Sequence, residues 1–276
     1  MLWASASVAG KFGLFSVEPL VFFTIRFFIA GIILLVFVHA VQRSRLPQGI
    51  EWKQITIFGA FNTTLYLGIF IVALQFITPG ITTLAIALNP LFISLMTAFW
   101  MKRKVRLVEW ISITLGLAGV FVAAYPLLKG ASARPEGMIL LVFSMTIYSF
   151  GAVYYASTSW SLSRTAVNAW QVLIGGVLLA PFAWIMHDHE NVFDRGFYFS
   201  LLWLIFPVSI VAVQLWLSLL KTDAVRASMW LYLCPIFGFV FSALLLDEPL
   251  TVFTLAGTVL VMLALYLGQR SSKNPV

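Results

Sequence analysis

The residues able to do chemistry in this chain are few, and most of them lie inside apolar runs. Asn62 and Tyr66 stand one helical turn apart. Thr82, Thr83 and Asn89 lead up to Pro90, while Ser228, Trp230, Tyr232 and Cys234 lead up to Pro235. Tyr148 falls well inside another run, followed by Tyr154 and Tyr155, and Gln214 and Trp216 share a third. Amides and hydroxyls supply hydrogen bonds and aromatic rings supply flat apolar faces. That combination suits a binding wall better than bond-making. Asn62, Tyr66, Thr82, Asn89, Tyr148, Gln214, Ser228, Trp230 and Tyr232 are therefore the candidate ligand-binding residues, with Pro90 and Pro235 as candidate kinks or gates. An interior proline frees a carbonyl four residues back, here that of Ile86 or Leu231, and in lipid such a carbonyl must face protein or a wet cavity.

Charges inside apolar runs are costly, about 2.5–3.5 kcal/mol each at a bilayer centre on insertion scales. Lys11 and Arg26 are in that position, with Glu18 at the turn between their runs. We assign the three as structural charges. Arg26 has Glu18 as a pairing partner or can snorkel outward, with a substrate contact as the competing role, and Lys11 is placed to line a vestibule for carboxylates. Other machinery is missing. Glu18, Glu109, Asp223, Asp247 and Glu248 all fall at run ends, so proton coupling through a buried carboxylate finds no support. His187-Asp188-His189-Glu190 resembles a metal run but sits in a connection without further ligands nearby, and no metal site is expected. There is no G-x-x-x-x-G-K-[ST] phosphate loop, no nucleophile–base motif and no cofactor signature. The one cysteine, Cys234, offers neither disulfide nor redox pair. The expectation is a protein that is not an enzyme and carries no cofactor.

The elements that position these residues follow from composition. Of 276 residues, 61% are hydrophobic and 10% charged, with a mean hydropathy of +0.99; soluble domains carry about 25% charged residues. Apolar runs of membrane-spanning length, continuous rather than alternating, exclude a β-barrel and point to an all-α integral membrane protein. Ten spans are read, at 2–16, 20–42, 54–74, 79–100, 107–127, 137–157, 165–186, 198–220, 225–246 and 251–269. The net charge of +7 arises at span edges, where basic residues set topology, so the partners are the lipid bilayer and a small molecule, not nucleic acid, and a monomer is expected. Arg43, Arg45, Lys53, Lys102, Arg103, Lys104, Arg106, Arg164, Lys221, Arg226, Arg270 and Lys273 share one side, against Lys129, Arg134 and Arg195 among several acids on the other. Both termini are then cytoplasmic.

The chain also repeats. An ungapped offset of 145 residues sets Pro90 on Pro235, Leu74 on Leu219, Phe92 on Phe237, Ala98 on Ala243 and Gly31 on Gly176. Five spans per half is an odd number, so the halves, 1–130 and 131–276, must insert in opposite orientations. The basic Lys102-Arg103-Lys104 indeed becomes Asp247-Glu248-Pro249 at the same offset. The first span is short against its echo, which begins near Met138, so a truncated or misassigned start is expected.

Trp3-Ala4-Ser5 leading to Lys11, then Pro19, Arg26 and Gly31, resembles the opening of each repeat in the drug/metabolite transporter superfamily. The short turn Asp247-Glu248-Pro249-Leu250 before a helix with Gly257 is similar, as are Gly116 and Gly119 in the first half. The resemblance covers the whole chain as two EamA-type repeats, nearest in appearance to bacterial exporters of aromatic amino acids. It implies two inverted five-helix repeats around a central cavity, in the bacterial inner membrane, exporting metabolites by alternating access. Related carriers move threonine or homoserine, or cationic drugs such as methyl viologen. The acidic turn is replaced by Lys102-Arg103-Lys104 in the first half, and the counterpart of Arg26 is Gln171, so neither role transfers between halves. A competing class, an integral-membrane enzyme acting on lipid, would depend on the His187 loop. A receptor bundle fits neither ten spans nor the repeat.

Overall fold

A chain this apolar has no backbone partner in a bilayer other than itself, and helices satisfy that demand locally. The computed structural model describes residues 1–77, 82, 85–102, 104–129, 134–246 and 251–270. Its helices are α1 (Leu2–Gly13), α2 (Pro19–Val41), α3 (Ile50–Phe76), α4 (Asn89–Trp100), α5 (Leu107–Lys129), α6 (Pro135–Ser157), α7 (Arg164–Ile185), α8 (Arg195–Thr222), α9 (Ala224–Leu245) and α10 (Val252–Arg270). Six of these, α2, α3, α6, α7, α8 and α9, are long and apolar enough to cross a membrane. Shorter apolar stretches run through α5 (Leu107–Ala123) and α10 (Val252–Gly268). Helix starts follow local chemistry. Pro19, Pro90 and Pro135 occupy first-turn positions, where a missing N–H costs nothing. Ser163, Asp194 and Asp223 accept from the N–H groups of Ala166, Phe197, and Val225 with Arg226.

Two crossings join elements that are each other's echo. Helix α2 packs along α7, and α5 along α10. A Cβ on Gly31 would lie 2.9 Å from Leu173 Cα, and one on Gly176 would lie 2.9 Å from Phe27 Cβ and 3.6 Å from Phe28 N. Phe28 and Leu173 are themselves in register at the 145-residue offset. As position rises along α2 its contact falls along α7, so the two run antiparallel. The second crossing behaves alike: a Cβ on Gly257 would meet Ala123, and one on Gly268 would meet Ser112. Those four positions exchange under the same offset. Each contact maps onto its mate when the registers are swapped, as at a two-fold axis.

The offset also relates two departures from regular winding. Helix α3 takes a π-wound course over Ala60–Leu65, and α8 does so over Leu204–Ala212. Shifting the first stretch by 145 places it inside the second. Pro207 lies in the α8 stretch, yet its counterpart is Asn62, so proline is not the common cause. The prolines of the opening pair correct an expectation. Sequence reading placed Pro90 and Pro235 midway along continuous helices. Instead the chain turns at Ala87 and Leu88, with Leu88 N–H donating to the Ala85 carbonyl at 3.0 Å, before α4 begins at Asn89. In α9 a tight 3₁₀ turn, Trp230–Tyr232, precedes the piece that starts at Leu233. A break one turn upstream removes the clash an interior proline would cause, and each proline opens a new helical piece. Ile81, Thr83, Arg103, 247–250 and Lys273 lie outside the described residues, as does the sign reversal read at 247–249.

Candidate functional site

The two breaks meet the centre of the bundle. Ile86 and Leu231, one at each break, line the same internal cavity. Around it stand Trp3 and Ala6 from α1, Phe23 and Arg26 from α2, Asn62, Tyr66, Leu67 and Phe70 from α3, Asn89 from α4, Tyr148 from α6, and Val208, Val213 and Trp216 from α8. The space open to the centres of water molecules is about 60 Å³, room for a few waters.

Four large rings form one continuous wall. Tyr66 and Tyr148 have centroids 4.6 Å apart, Trp3 and Trp216 5.0 Å, and Tyr148 lies 6.1 Å from both Trp3 and Trp216. These separations fall in the favourable range for offset and edge contacts. The hydroxyl of Tyr148 and the indole N–H of Trp216 are buried without a hydrogen-bond partner among the described residues. Such groups are costly when left unpaired, and both belong to cavity-lining side chains.

Behind the rings runs a polar chain that crosses between α2, α3, α7 and α8. Arg26 Nε donates to Ser209 Oγ at 3.0 Å, and Asn168 Nδ2 donates to the Ser209 carbonyl at 3.1 Å. Gln171 Nε2 donates to Asn168 Oδ1 at 3.0 Å, while Gln171 Oε1 accepts from Thr63 Oγ1 at 2.5 Å and from Asn62 Nδ2 at 3.4 Å. Ser209 and Thr63 both sit on the π-wound stretches, a winding often found at functional positions. Asn89 is held separately, accepting from Ser149 Oγ at 3.1 Å and placing Nδ2 3.3 Å from Met145 Sδ.

Arg26 is 3% exposed. Its guanidinium carbon lies 4.8 Å from the Phe23 ring centroid and 5.4 Å from that of Phe27. Of the two options the sequence leaves, pairing with Glu18 is not made among the described residues. Glu18 instead accepts from the backbone N–H groups of Asp188 and His189 at 2.8 and 2.9 Å, and its other oxygen meets His187 Nδ1 at 2.5 Å. Arg26 is two turns deeper along α2, roughly 12 Å by helical rise, beyond reach of that turn. Burial opposes the charged form of Glu18, but the hydrogen bonds from His187, Asp188 and His189, with the His187 charge, prevail and bring its pKa down to about 2. Asn191 Oδ1 also accepts from Glu18 N–H at 2.7 Å, and Val192 N–H donates to the Ser16 carbonyl at 2.8 Å. The His187 loop thus clasps the α1–α2 turn. Lys11 Nζ donates to the Leu74 carbonyl at 3.0 Å, near the end of α3, where a cation also suits the helix dipole.

Of the residues chosen from sequence, Asn62, Tyr66, Asn89 and Tyr148 come together at the cavity. The others stand elsewhere. Trp230 is 48% exposed. Tyr232 is buried against Gly116 and donates to the Ile113 carbonyl at 2.9 Å, fastening α9 to α5. Ser228 closes on its own helix through the Val225 carbonyl at 2.6 Å. Thr82 is buried but not part of the lining, and Gln214 is half-buried with Nε2 unpartnered among the described residues. Trp3 and Trp216 were not selected. Trp3 had a usable signal, since it lies in register with Tyr148; the register partner of Trp216 is Ile71, which gave none.

Two separate stretches, 1–125 and 135–268, match the description of the EamA-like transporter family. The chain belongs to that family. Relatives extend the match along nearly the whole length. The uncharacterized transporter YvbV of Bacillus subtilis is 25% identical over 276 residues, covering 99% of this chain and 90% of its own. A probable amino-acid metabolite efflux pump of Escherichia coli is 25% identical over 279 residues, covering 97% and 91%. One solved crystal structure superposes with a TM-score of 0.78 at 20% identity, over 99% of this chain and 95% of that one, which speaks to the fold. Membership makes this EamA-family protein a multi-pass transporter with a small-molecule substrate and a lipid surround.

Proposed function

We propose that this protein is an inner-membrane secondary carrier that exports small amino-acid-like metabolites, aromatic and hydrophobic amino acids foremost, by alternating access. The observation that carries this reading is the cavity at the two helix breaks, walled by Trp3, Tyr66, Tyr148 and Trp216. Rings at these spacings offer planar faces to a flat side chain, and broken helices that meet at mid-bundle are a recurring form of transport site. The amino-acid metabolite efflux named for the E. coli relative points the same way. Ten membrane spans arranged as inverted repeats, 1–130 and 131–276, are supported by the antiparallel, self-exchanging crossings of α2 with α7 and α5 with α10. In this reading one half rocks against the other about those crossings, the pieces after Pro90 and Pro235 act as gates, both termini face the cytoplasm and the carrier works as a monomer. Asn62, Tyr66, Asn89 and Tyr148 contact the substrate.

Purified protein in liposomes preloaded with labelled tryptophan, phenylalanine, threonine or methyl viologen tests it. Efflux of the two aromatic amino acids above protein-free vesicles is expected, with threonine and methyl viologen slower. Absence of flux for all four would reject the carrier reading; equal flux would reject only the aromatic preference.

A further inference from the structure

The cavity's electrostatics narrow the ligand beyond an aromatic shape. Among the described residues Arg26 is the one cationic side chain in its lining, and no aspartate or glutamate lines it. Within the described residues no carboxylate lies within ion-pair distance of Arg26, and its hydrogen bonding there amounts to the contact with Ser209 Oγ through Nε. A guanidinium has five N–H donors in a planar fork suited to a carboxylate. The faces of Phe23 and Phe27 attract the cation but accept no hydrogen bonds of that kind. Nearby, Trp216 contributes an unpartnered indole N–H and Tyr148 an unpartnered hydroxyl, while the Asn89 oxygen is already engaged by Ser149. Donors are in surplus. Anionic acceptors for an ammonium group are lacking among the described lining residues.

Resting on the aromatic-carrier reading above, we infer that Arg26 is the carboxylate receptor of this cavity, and that the site selects aromatic or hydrophobic carboxylates without requiring an ammonium group. A carboxylate entering beside Arg26 cancels a buried charge that has no protein counterion among the described residues, and both partners are desolvated together. An ammonium meets ring faces and neutral oxygens such as those of Asn62, Tyr66 and Tyr148, which hold a cation more weakly than an ion pair does. A ligand bearing only an amine also adds a second positive charge to the same small space. Organic dications are disfavoured still more strongly.

Three ligands with one indole ring separate the terms: indole-3-propionate, tryptophan and tryptamine. Equilibrium binding to the full chain in nanodiscs is expected to rank indole-3-propionate level with or above tryptophan, with tryptamine at least about 30-fold weaker. Losing one partner of a buried ion pair typically produces a change of that size or more. The Arg26→Gln variant, which copies the residue in register at Gln171, should lose roughly 30-fold for both carboxylates and gain on tryptamine. Tryptamine binding as tightly as indole-3-propionate would overturn the inference while leaving an aromatic cavity standing. Tryptophan bound far more tightly than indole-3-propionate would overturn it as well, since the ammonium would then be required. If none of the three binds, the aromatic-cavity reading falls and this inference with it. The ranking on the unsubstituted protein decides the matter even where the variant fails to fold.

Discussion

Replacing Gly31 by alanine tests the α2–α7 crossing at its tightest point. The added methyl would sit 2.9 Å from both Cα and Cβ of Leu173 and 3.0 Å from its backbone nitrogen. Carbon atoms rest at about 3.5–4.0 Å, so the helices must part by roughly 0.6–1.1 Å. Two of the three obstructing atoms are backbone, and no rotamer change relieves them. Overpacking of this kind costs about 1–3 kcal/mol, which for a chain of this size lowers Tm by roughly 2–5 °C. Gly10→Ala is the matched control. Its Cβ would meet the Leu74 Cδ2 atom at 3.1 Å, the end of a flexible side chain that can move aside, and its Tm should stay within about 1 °C of the parent. Gly176→Ala presses on the same seam from the other side. Once one methyl has parted the helices the second meets less resistance, so the double variant should lose less than the sum of the singles. Size-exclusion-detected melting in detergent reads the parent and all four variants. A Gly31→Ala protein that melts with the parent, or above Gly10→Ala, would refute the close-contact reasoning.

The remaining predictions separate structural from ligand-facing groups. Tyr148→Phe removes a buried hydroxyl without a partner among the described residues, so the ligand-free protein should melt no lower than the parent, while affinity for the cavity's ligand falls about 5-fold for one lost hydrogen bond; thermal melting and binding check the two halves separately. Trp230→Phe, altering a side chain 48% exposed and outside the cavity, should leave transport rates within about 2-fold of the parent in the liposome assay. Glu18 has its carboxyl held at about 2, below the usual value near 4.3. A depressed acid stabilises the fold above its unfolded pKa and loses that contribution as pH drops from about 4 to 2. The Tm gap between parent and Glu18→Gln, about 2 °C at pH 6 for an exposed clasp, should therefore close across that window in pH-resolved melting curves.

Composition and span length made the helices legible, because in a membrane the backbone has almost no alternative. The 145-residue register carried further: it paired Gly31 with Gly176, whose helices pack together, and Pro90 with Pro235, and it contained Trp3 as the mate of Tyr148. Side-chain direction was the part the register could not supply. Trp230 and Tyr232 neighbour Leu231 in sequence, yet only Leu231 reaches the cavity; a 3₁₀ turn sends each of the three side chains a different way. Partnering was equally hidden. Glu18 was the reasonable mate for Arg26 by proximity along the chain, but the loop at His187, far away in sequence, reached it first. Lys11 found a backbone carbonyl, a kind of partner that residue types do not advertise.

The wide turn at Ala60–Leu65 sets the phase of α3. Before it, the helix presents Gly59 to the Gln171 carbonyl on α7; after it, Tyr66 faces Tyr148 on α6. Each α-helical residue advances about 100° around the axis and 1.5 Å along it. Winding those six residues at ordinary pitch, with none removed, would swing Tyr66, Leu67 and Phe70 about a quarter-turn away from the cavity while the Gly59 contact stayed fixed. One helix thereby keeps two neighbours whose spacings are incommensurate, like a vernier between two scales, and the stretch at Leu204–Ala212 does the same for Ser209 and Trp216 on α8.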